Sequence, residues 1–123
     1  MFVKEIRDYD KFSDEADIII SDGRHNLLCY CFPTKMPKIG QTINTITSLF
    51  AKNIMRVKDN EFIIKKETNY YAYHLQGEVV DREIPKIRIG DIIICLDTPL
   101  PKDIKKGEYI ELTVDRLDCK FWV

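Results

Sequence analysis

The stretch Arg88-Ile89-Gly90-Asp91-Ile92-Ile93-Ile94-Cys95-Leu96-Asp97 decides the fold. It is a run of β-branched and apolar residues that is entered through a glycine and followed by a turn with two prolines. β-Branched side chains lose little extra conformational freedom in a pleated strand and pack well against neighbours there. The run therefore predicts a central strand that is buried on both faces.

The segment after the prolines alternates between apolar and polar side chains. Ile110, Leu112 and Val114 take the apolar positions. A period of two predicts a strand with one buried and one solvated face. Beyond Val114 the alternation shifts by one position. We expect a β-bulge near Asp115 and Arg116, because a bulge redirects the side chains that follow it.

Three predicted strands begin with a similar local sequence, in which a cation precedes a glycine by two positions. The glycines are Gly40, Gly90 and Gly107. Glycine accepts a positive φ without steric cost, so each occurrence predicts a tight turn that leads into a strand. A phosphate-binding loop is disfavoured, because it needs a glycine-rich run that opens a helix.

A hairpin is predicted over residues 17–32, where two apolar runs flank Asp22-Gly23. Asp-Gly between apolar runs supplies the positive φ that hairpin turns need. The segment before it leaves two alternatives open. Apolar spacings of three and four permit a short amphipathic helix over residues 2–13, and residues 2–6 equally suit an edge strand.

The middle of the chain predicts both strand and helix. Residues 41–46 have the composition of a strand. Residues 48–53 predict a short helix, because apolar residues recur at helical intervals and Thr47 or Ser48 suits the N-cap position.

The strands predicted next are expected to pair locally. A strand at 54–57 and another at 61–66 predict a second hairpin, since the polar sequence Lys58-Asp59-Asn60 separates them. The run over residues 70–80 predicts a strand that bends strongly at Gly77. A polar connection over residues 81–85 then leads into the central strand.

The 123-residue chain predicts one domain over residues 1–123, because a chain of this length buries a substantial core. Its hydrophobic content of 45% and charged content of 32% are typical of globular proteins, so extended disorder is not expected. No apolar run approaches the ~20 residues of a membrane span, and no signal peptide opens the sequence. We therefore expect a cytoplasmic protein that does not bind membranes.

Together these elements predict a mainly β protein with minor α, built as a small antiparallel barrel with one or two short helices. Such a barrel curls to limit its sheet edges. In its strand-rich order, with one helix before the later strands, the chain resembles the oligonucleotide/oligosaccharide-binding (OB) barrels. The resemblance is one of architecture and covers the whole chain loosely. It implies no site residues, because no diagnostic motif carries it.

The four cysteines, Cys29, Cys31, Cys95 and Cys119, predict reduced, buried thiols in a cytosolic chain. A structural zinc site usually uses two close ligand pairs, and only Cys29 and Cys31 form such a pair, so we expect no metal and no cofactor. Cys95 lies in an apolar run, where burial raises the pKa of a thiol and disfavours a nucleophile with His74 as its base. We expect no catalytic residues and no enzyme.

Charge is distributed unevenly, since residues 1–22 are acidic and residues 23–76 are basic. The basic segment also contains tyrosines, and proteins that bind single-stranded nucleic acids combine cations with aromatic platforms for the bases. An OB-like single-stranded nucleic-acid-binding protein is therefore one hypothesis. Its candidate binding residues are Lys52, Arg56, Lys58, Lys65, Lys66 and Tyr70.

The hypothesis that we favour is a non-catalytic binding module. It acts through a protein partner or by homo-oligomerisation, as a regulator, an assembly subunit or an inhibitor or immunity-type protein. The absence of a reactive set of residues, the separated charges and the apolar tail over residues 121–123 support it. Tryptophan is a frequent anchor in protein interfaces, so Trp122 joins the candidate binding residues.

Overall fold

The structure is a computed structural model that describes residues 1–32 and 37–119. This part of the chain contains eleven β-strands and no helix. The strands are β1 (Phe2–Asp10), β2 (Glu15–Ser21), β3 (Asn26–Cys31), β4 (Ile46–Leu49), β5 (Lys52–Val57), β6 (Ile63–Lys66), β7 (Tyr73–Asp81), β8 (Lys86–Ile89), β9 (Ile92–Cys95), β10 (Tyr109–Val114) and β11 (Arg116–Cys119). The prediction of a mainly β protein is confirmed.

All eleven strands join one mixed sheet. Its pairing order is β1-β2-β3-β11-β4-β9-β8-β7-β10-β5, with β6 beside β7. The pairs β3–β11 and β4–β9 are parallel, whereas the other pairs are antiparallel. The order is open, with β1 and β5 at its ends. The closed antiparallel barrel that the sequence predicts is therefore not confirmed.

The helix predicted over residues 48–53 is wrong, because the chain only bends there between two strands. β4 and β5 continue one another and run antiparallel to β11 and β10. At the bend, Phe50 has a φ of 56°. The carboxylate of Asp97 accepts hydrogen bonds from the backbone N–H groups of Phe50 and Ala51, at 2.7 and 3.0 Å. The apolar residues at helical intervals therefore belong to two short strands.

The stretch predicted as one central strand contains a hairpin. β8 ends at Ile89, Gly90 and Asp91 form the turn, and β9 begins at Ile92. β9 lies between β4 and β8, so its interior position is confirmed. Its burial is one-sided rather than two-sided, since Ile92 and Ile94 are buried and Ile93 and Cys95 are partly exposed.

The alternation over residues 110–114 is confirmed, because Ile110, Leu112 and Val114 are all buried. At the position where the sequence predicts that the alternation shifts, the chain bends at Asp115, and β11 begins at Arg116. β10 pairs with β5 and β7, whereas β11 pairs with β3 and β4. One continuous segment therefore connects the two halves of the sheet.

The first hairpin is confirmed. β2 and β3 pair from Ala16 opposite Cys31 to Ser21 opposite Asn26. The preceding segment is the edge strand β1 and not a helix, and it pairs with β2 along most of its length. The three glycine turns are also confirmed, with positive φ at Gly40, Gly90 and Gly107.

The second hairpin is wrong, because its two strands pair elsewhere. β5 pairs with β10, and β6 pairs with β7. The connection between them is held to β7 by the side-chain amide of Gln76, which donates to the carbonyl oxygens of Asp59 and Glu61 at 3.2 and 3.1 Å. The strand predicted over residues 41–46 is reduced to a bridge between Thr42 and Phe2, and β4 begins only at Ile46.

β7 carries different neighbours along its two halves. Its first half lies between β10 and β6, and its second half pairs with β8. The change occurs at Gly77, where a Cβ atom would overlap the carbonyl oxygen of Arg88. The close backbone approach therefore requires glycine at the position where the sequence predicts a bend. No helix in the described part of the chain is long and apolar enough to cross a membrane.

Candidate functional site

A cluster of tyrosines around one buried carboxylate is the most distinctive surface feature. We call Asp17, Tyr30, Tyr70, Tyr71 and Arg116 the tyrosine patch. Asp17 lies on β2 directly opposite Tyr30 on β3, so the two side chains share one face of the sheet. Arg116 comes from β11, and Tyr70 and Tyr71 come from the loop between β6 and β7. Four separate segments therefore build the patch.

Asp17 is only 7% exposed, and both of its carboxylate oxygens accept hydrogen bonds. The hydroxyl of Tyr71 donates to one oxygen at 2.6 Å, and the hydroxyl of Tyr70 donates to the other at 3.0 Å. No cation within residues 1–32 and 37–119 forms an ion pair with this carboxylate. A buried charge is costly without hydrogen bonds, so the two tyrosines make the burial of Asp17 tolerable.

The same contacts keep the tyrosines protonated. The hydrogen bond to Asp17 is the main cause that raises the pKa of Tyr70. Burial is the main cause for Tyr71, and its hydrogen bond to Asp17 raises the pKa further. Both hydroxyls therefore remain donors over the physiological pH range.

The rings of the patch pack edge to face. The ring centroids of Tyr30 and Tyr71 are 6.0 Å apart, and those of Tyr70 and Tyr71 are 4.8 Å apart. The guanidinium carbon of Arg116 lies 4.3 Å from the ring centroid of Tyr30. Tyr70 nevertheless remains 53% exposed. The patch thus presents one rigid, half-exposed aromatic side chain to solvent.

Lys66, one of the predicted binding residues, holds the loop that carries Tyr70 and Tyr71. Its ammonium group donates to the carbonyl oxygens of Ala72 at 3.0 Å, of Glu67 at 3.3 Å and of Asn69. It also lies 5.3 Å from the ring centroid of Tyr73. Desolvation lowers the pKa of Lys66. The residue therefore has a structural role rather than that of a free surface cation.

The remaining predicted cations do not assemble into one patch. Lys52 forms an ion pair with Asp115 at 3.0 Å, and Arg56 forms one with Glu108 at 2.7 Å. Lys58 and Lys65 are exposed and form no ion pair within the described ranges. β10 and β7 lie between β5 and β6 in the sheet. The cations on β5 are therefore three strand spacings, roughly 14 Å, from those on β6.

Of the predicted binding residues, only Tyr70 belongs to the tyrosine patch, and Trp122 lies outside the described residues. Sequence reasoning missed Asp17, Tyr30, Tyr71 and Arg116. One local signal was present, since Asp17 places a carboxylate at the start of the apolar run Ile18-Ile19-Ile20. Its partners lie 53 and 54 residues further along the chain, so no local pattern connects them.

The predicted burial holds for three of the four cysteines, because Cys95 on β9 is a partly exposed free thiol. Cys29, Cys31 and Cys119 are buried free thiols. The hydrogen bond between Cys31 and Cys119 is the main cause that raises the pKa of Cys31, and burial raises it further. The hydrogen bond to Cys29 is the main cause that raises the pKa of Cys119. No group of three metal-ligating side chains with suitable geometry occurs among the residues that the structure describes. Cys29, Cys31 and Cys119 therefore belong to the core.

One shallow depression of about 260 Å³ lies between the β7–β8 connection and the segment after β9. Asp97 is the acidic residue on its β9 side. The carboxylate of Asp97 is already hydrogen-bonded within the protein, because it accepts hydrogen bonds from Ser48, Phe50 and Ala51. Of the two acidic residues that line the depression, Asp97 is therefore held within the fold, whereas Glu83 is exposed.

The fold and the patch define a small mixed-sheet β protein with an exposed aromatic surface. Comparison of the chain with protein-family models, with curated proteins and with solved structures found no match.

Proposed function

We propose that the chain is a non-catalytic binding module that acts through a protein partner, as a regulator, an assembly subunit or an inhibitor or immunity-type protein. We further propose that the partner docks on the tyrosine patch. The observation that carries this proposal is the exposed ring of Tyr70, whose hydroxyl is fixed to the buried Asp17.

A fixed aromatic ring suits protein binding for two reasons. Tyrosine and arginine are enriched among the residues that contribute most to interface affinity. Binding also immobilises flexible side chains at a cost of about 0.5–1.5 kcal/mol each, and a ring that is already held loses less freedom. Tyr70 is held by Asp17, and its loop is held by Lys66.

The scaffold of this module is proposed to be a curled, OB-like sheet. Two features support this proposal. The continuous segments β4–β5 and β10–β11 each bend at one position, near Phe50 and at Asp115, and they pair with one another on both sides of the bend. A sheet in which paired strands bend together curves toward closure.

The geometry favours a protein over a nucleic acid as the partner. The cations that a nucleic-acid groove needs lie on separated strands, and Lys52 and Arg56 are already paired with carboxylates. Tyr70 and Tyr71 contact a carboxylate, which repels a phosphate backbone. A labelled single-stranded oligonucleotide at low salt tests this directly. Tight binding that weakens steeply with salt would support the nucleic-acid alternative.

The proposal is tested by affinity capture from the native cells with the wild-type chain, Tyr70→Ala and Met55→Ala. Met55 is a matched control, because it is 59% exposed and lies on β5, at the other end of the strand order from β1 and β2. We expect a partner that Met55→Ala retains and Tyr70→Ala loses. Sedimentation of the same three purified proteins tests whether that partner is a second copy. Identical captured sets and identical sedimentation would contradict the proposal.

A further inference from the structure

The tyrosine patch lies in a field of carboxylates. Glu15 precedes Asp17 by two positions on β2, so both side chains lie on one face of the sheet, and Asp8 follows Arg7, the residue of β1 opposite Asp17. The hydrogen bond to Asp17 is the main cause that raises the pKa of Tyr70, and the charges of Asp17 and Asp8 add to it. Burial is the main cause that raises the pKa of Tyr30, and Glu15 adds to it. Acidic side chains of β1 and β2 therefore flank the patch on the side of Asp17.

Two arginines near the patch, Arg7 opposite Asp17 and Arg116, offset part of this charge, but each also has a carboxylate partner of its own. Arg7 forms two hydrogen bonds with Glu5, at 2.9 and 3.2 Å. Arg116 forms two with Asp118, at 2.6 and 3.1 Å. By contrast, Asp8, Glu15 and Asp17 form no ion pair within the residues that the structure describes. Since each arginine is balanced by its own carboxylate, these three carboxylates leave the patch and its rim acidic.

One aromatic face of the patch already binds a guanidinium group. Arg116 lies over Tyr30 at 4.3 Å from the ring centroid, while both of its terminal contacts go to Asp118. A carboxylate thus orients the guanidinium plane, and the tyrosine ring provides the surface on which it packs. Tyr70 offers the same combination on the outside of the patch. Its ring is half exposed, its hydroxyl is fixed by Asp17, and Asp8 lies next to the residue of β1 that is opposite Asp17.

From this arrangement we infer that the partner presents an arginine-rich segment, with one guanidinium on the exposed ring of Tyr70 and others paired with Asp8 and Glu15. This inference rests on the proposed function, since it names the chemistry of the partner at the same surface. Arginine suits the site better than lysine, because its planar group stacks on aromatic rings and pairs with carboxylates in a bidentate manner.

The test uses fluorescein-labelled oligo-arginine, oligo-lysine and oligo-glutamate peptides of equal length, with binding measured by fluorescence anisotropy. We expect oligo-arginine to bind more tightly than oligo-lysine and oligo-glutamate not to bind. Tyr70→Ala should weaken the binding of oligo-arginine by about fivefold or more, in line with the loss of a cation–π contact. Tyr70→Phe keeps the ring and should retain most of the affinity.

Controls separate this site from general attraction to an acidic protein. Asp8→Asn should weaken binding, whereas Asp59→Asn removes an equal charge from the β5–β6 connection and should leave it nearly unchanged. Thermal melting of each variant verifies that it is folded. Equal effects of Asp8→Asn and Asp59→Asn, no effect of Tyr70→Ala, or equal binding of oligo-lysine would overturn the inference. If Tyr70→Ala loses a captured partner while oligo-arginine does not bind, this inference fails and the proposed function stands.

Discussion

The hydroxyl of Tyr71 donates a 2.6 Å hydrogen bond to the carboxylate of Asp17, which precedes it by 54 residues. This contact joins the loop between β6 and β7 to strand β2. Tyr71 is partly buried, whereas Tyr70, whose hydroxyl bonds the other oxygen of Asp17, is 53% exposed. Water replaces a lost hydrogen bond more easily at an exposed position, so the two tyrosines should differ in their contribution to stability.

Replacing Tyr71 with phenylalanine should lower the free energy of unfolding by about 1–3 kcal/mol, because a buried carboxylate loses a donor. Tyr70→Phe is the matched control and should cost less than about 1 kcal/mol. Urea unfolding of both variants measures the difference. Equal losses for the two variants would contradict the assignment of Tyr71 as the more strongly stabilising donor to Asp17.

Gly90→Ala should be more destabilising than Gly107→Ala. Both glycines have positive φ, so alanine is strained at each by about 1 kcal/mol. At Gly90 the added Cβ would also overlap the carboxylate of Asp22 and the ring of His25, whereas the space at Gly107 is open. We expect an additional loss of about 1–3 kcal/mol at Gly90. Thermal melting of both variants tests this order, and the reverse order would contradict the packing at the β8–β9 turn.

Asp22 should make the free energy of unfolding depend on pH in the acidic range. Burial alone would raise its pKa, but hydrogen bonds from the backbone N–H groups of His25, Asp91 and Arg24 outweigh burial and lower it. Because the pKa of Asp22 is lower in the folded state than in the unfolded state, its ionised carboxylate stabilises the fold. This contribution to the free energy of unfolding is fully present above the unfolded pKa, about 4, and is lost as the pH falls below that value.

Urea unfolding from pH 6 down to about pH 3 measures this effect. We expect the free energy of unfolding to fall less steeply with acid in Asp22→Asn than in the wild-type protein. Asp59→Asn, an exposed substitution on the β5–β6 connection, serves as the charge control. An unchanged slope in Asp22→Asn would mean that the carboxylate is not held by the two turns that it joins.

Lys66→Met should loosen the loop that carries Tyr70 and Tyr71. Methionine retains an apolar side chain beside Tyr73 but removes the ammonium donor to the three loop carbonyls. Losing about 1 kcal/mol of local stability makes amide exchange several times faster. Hydrogen exchange at Glu67 and Ala72, whose N–H groups form backbone bonds within the loop, reports the change. Lys65→Met on the same strand should leave these rates unchanged.

Local patterns in the sequence were sufficient for most strands. The alternation of Ile110, Leu112 and Val114 predicted both a strand and its buried face, because side-chain direction in a strand depends only on the residue itself and its neighbours. The Asp22-Gly23 turn was predictable for the same reason. The bend at Phe50 was not, since the carboxylate that stabilises it belongs to Asp97.

The pairing of strands and the site could be predicted only in part. β5 and β6 are neighbours in the sequence, yet β10 and β7 take their places as partners. Pairing over such distances depends on how the whole sheet buries its apolar residues, and no short segment contains that information. The sequence predicts Tyr70 as a binding residue because its aromatic ring follows several cations, but the residue that its hydroxyl contacts is the acidic Asp17. The chemistry of the patch therefore emerged only when four distant segments met.

The most direct test of the central claim is the dissociation constant of the complex with the partner that affinity capture identifies. Calorimetric titration should compare the wild-type chain with Tyr70→Ala and Met55→Ala. We expect Tyr70→Ala to weaken binding by about tenfold or more, as for an aromatic interface anchor, and Met55→Ala to change it less than about twofold. Equal dissociation constants for the two variants would contradict the assignment of the tyrosine patch as the binding surface.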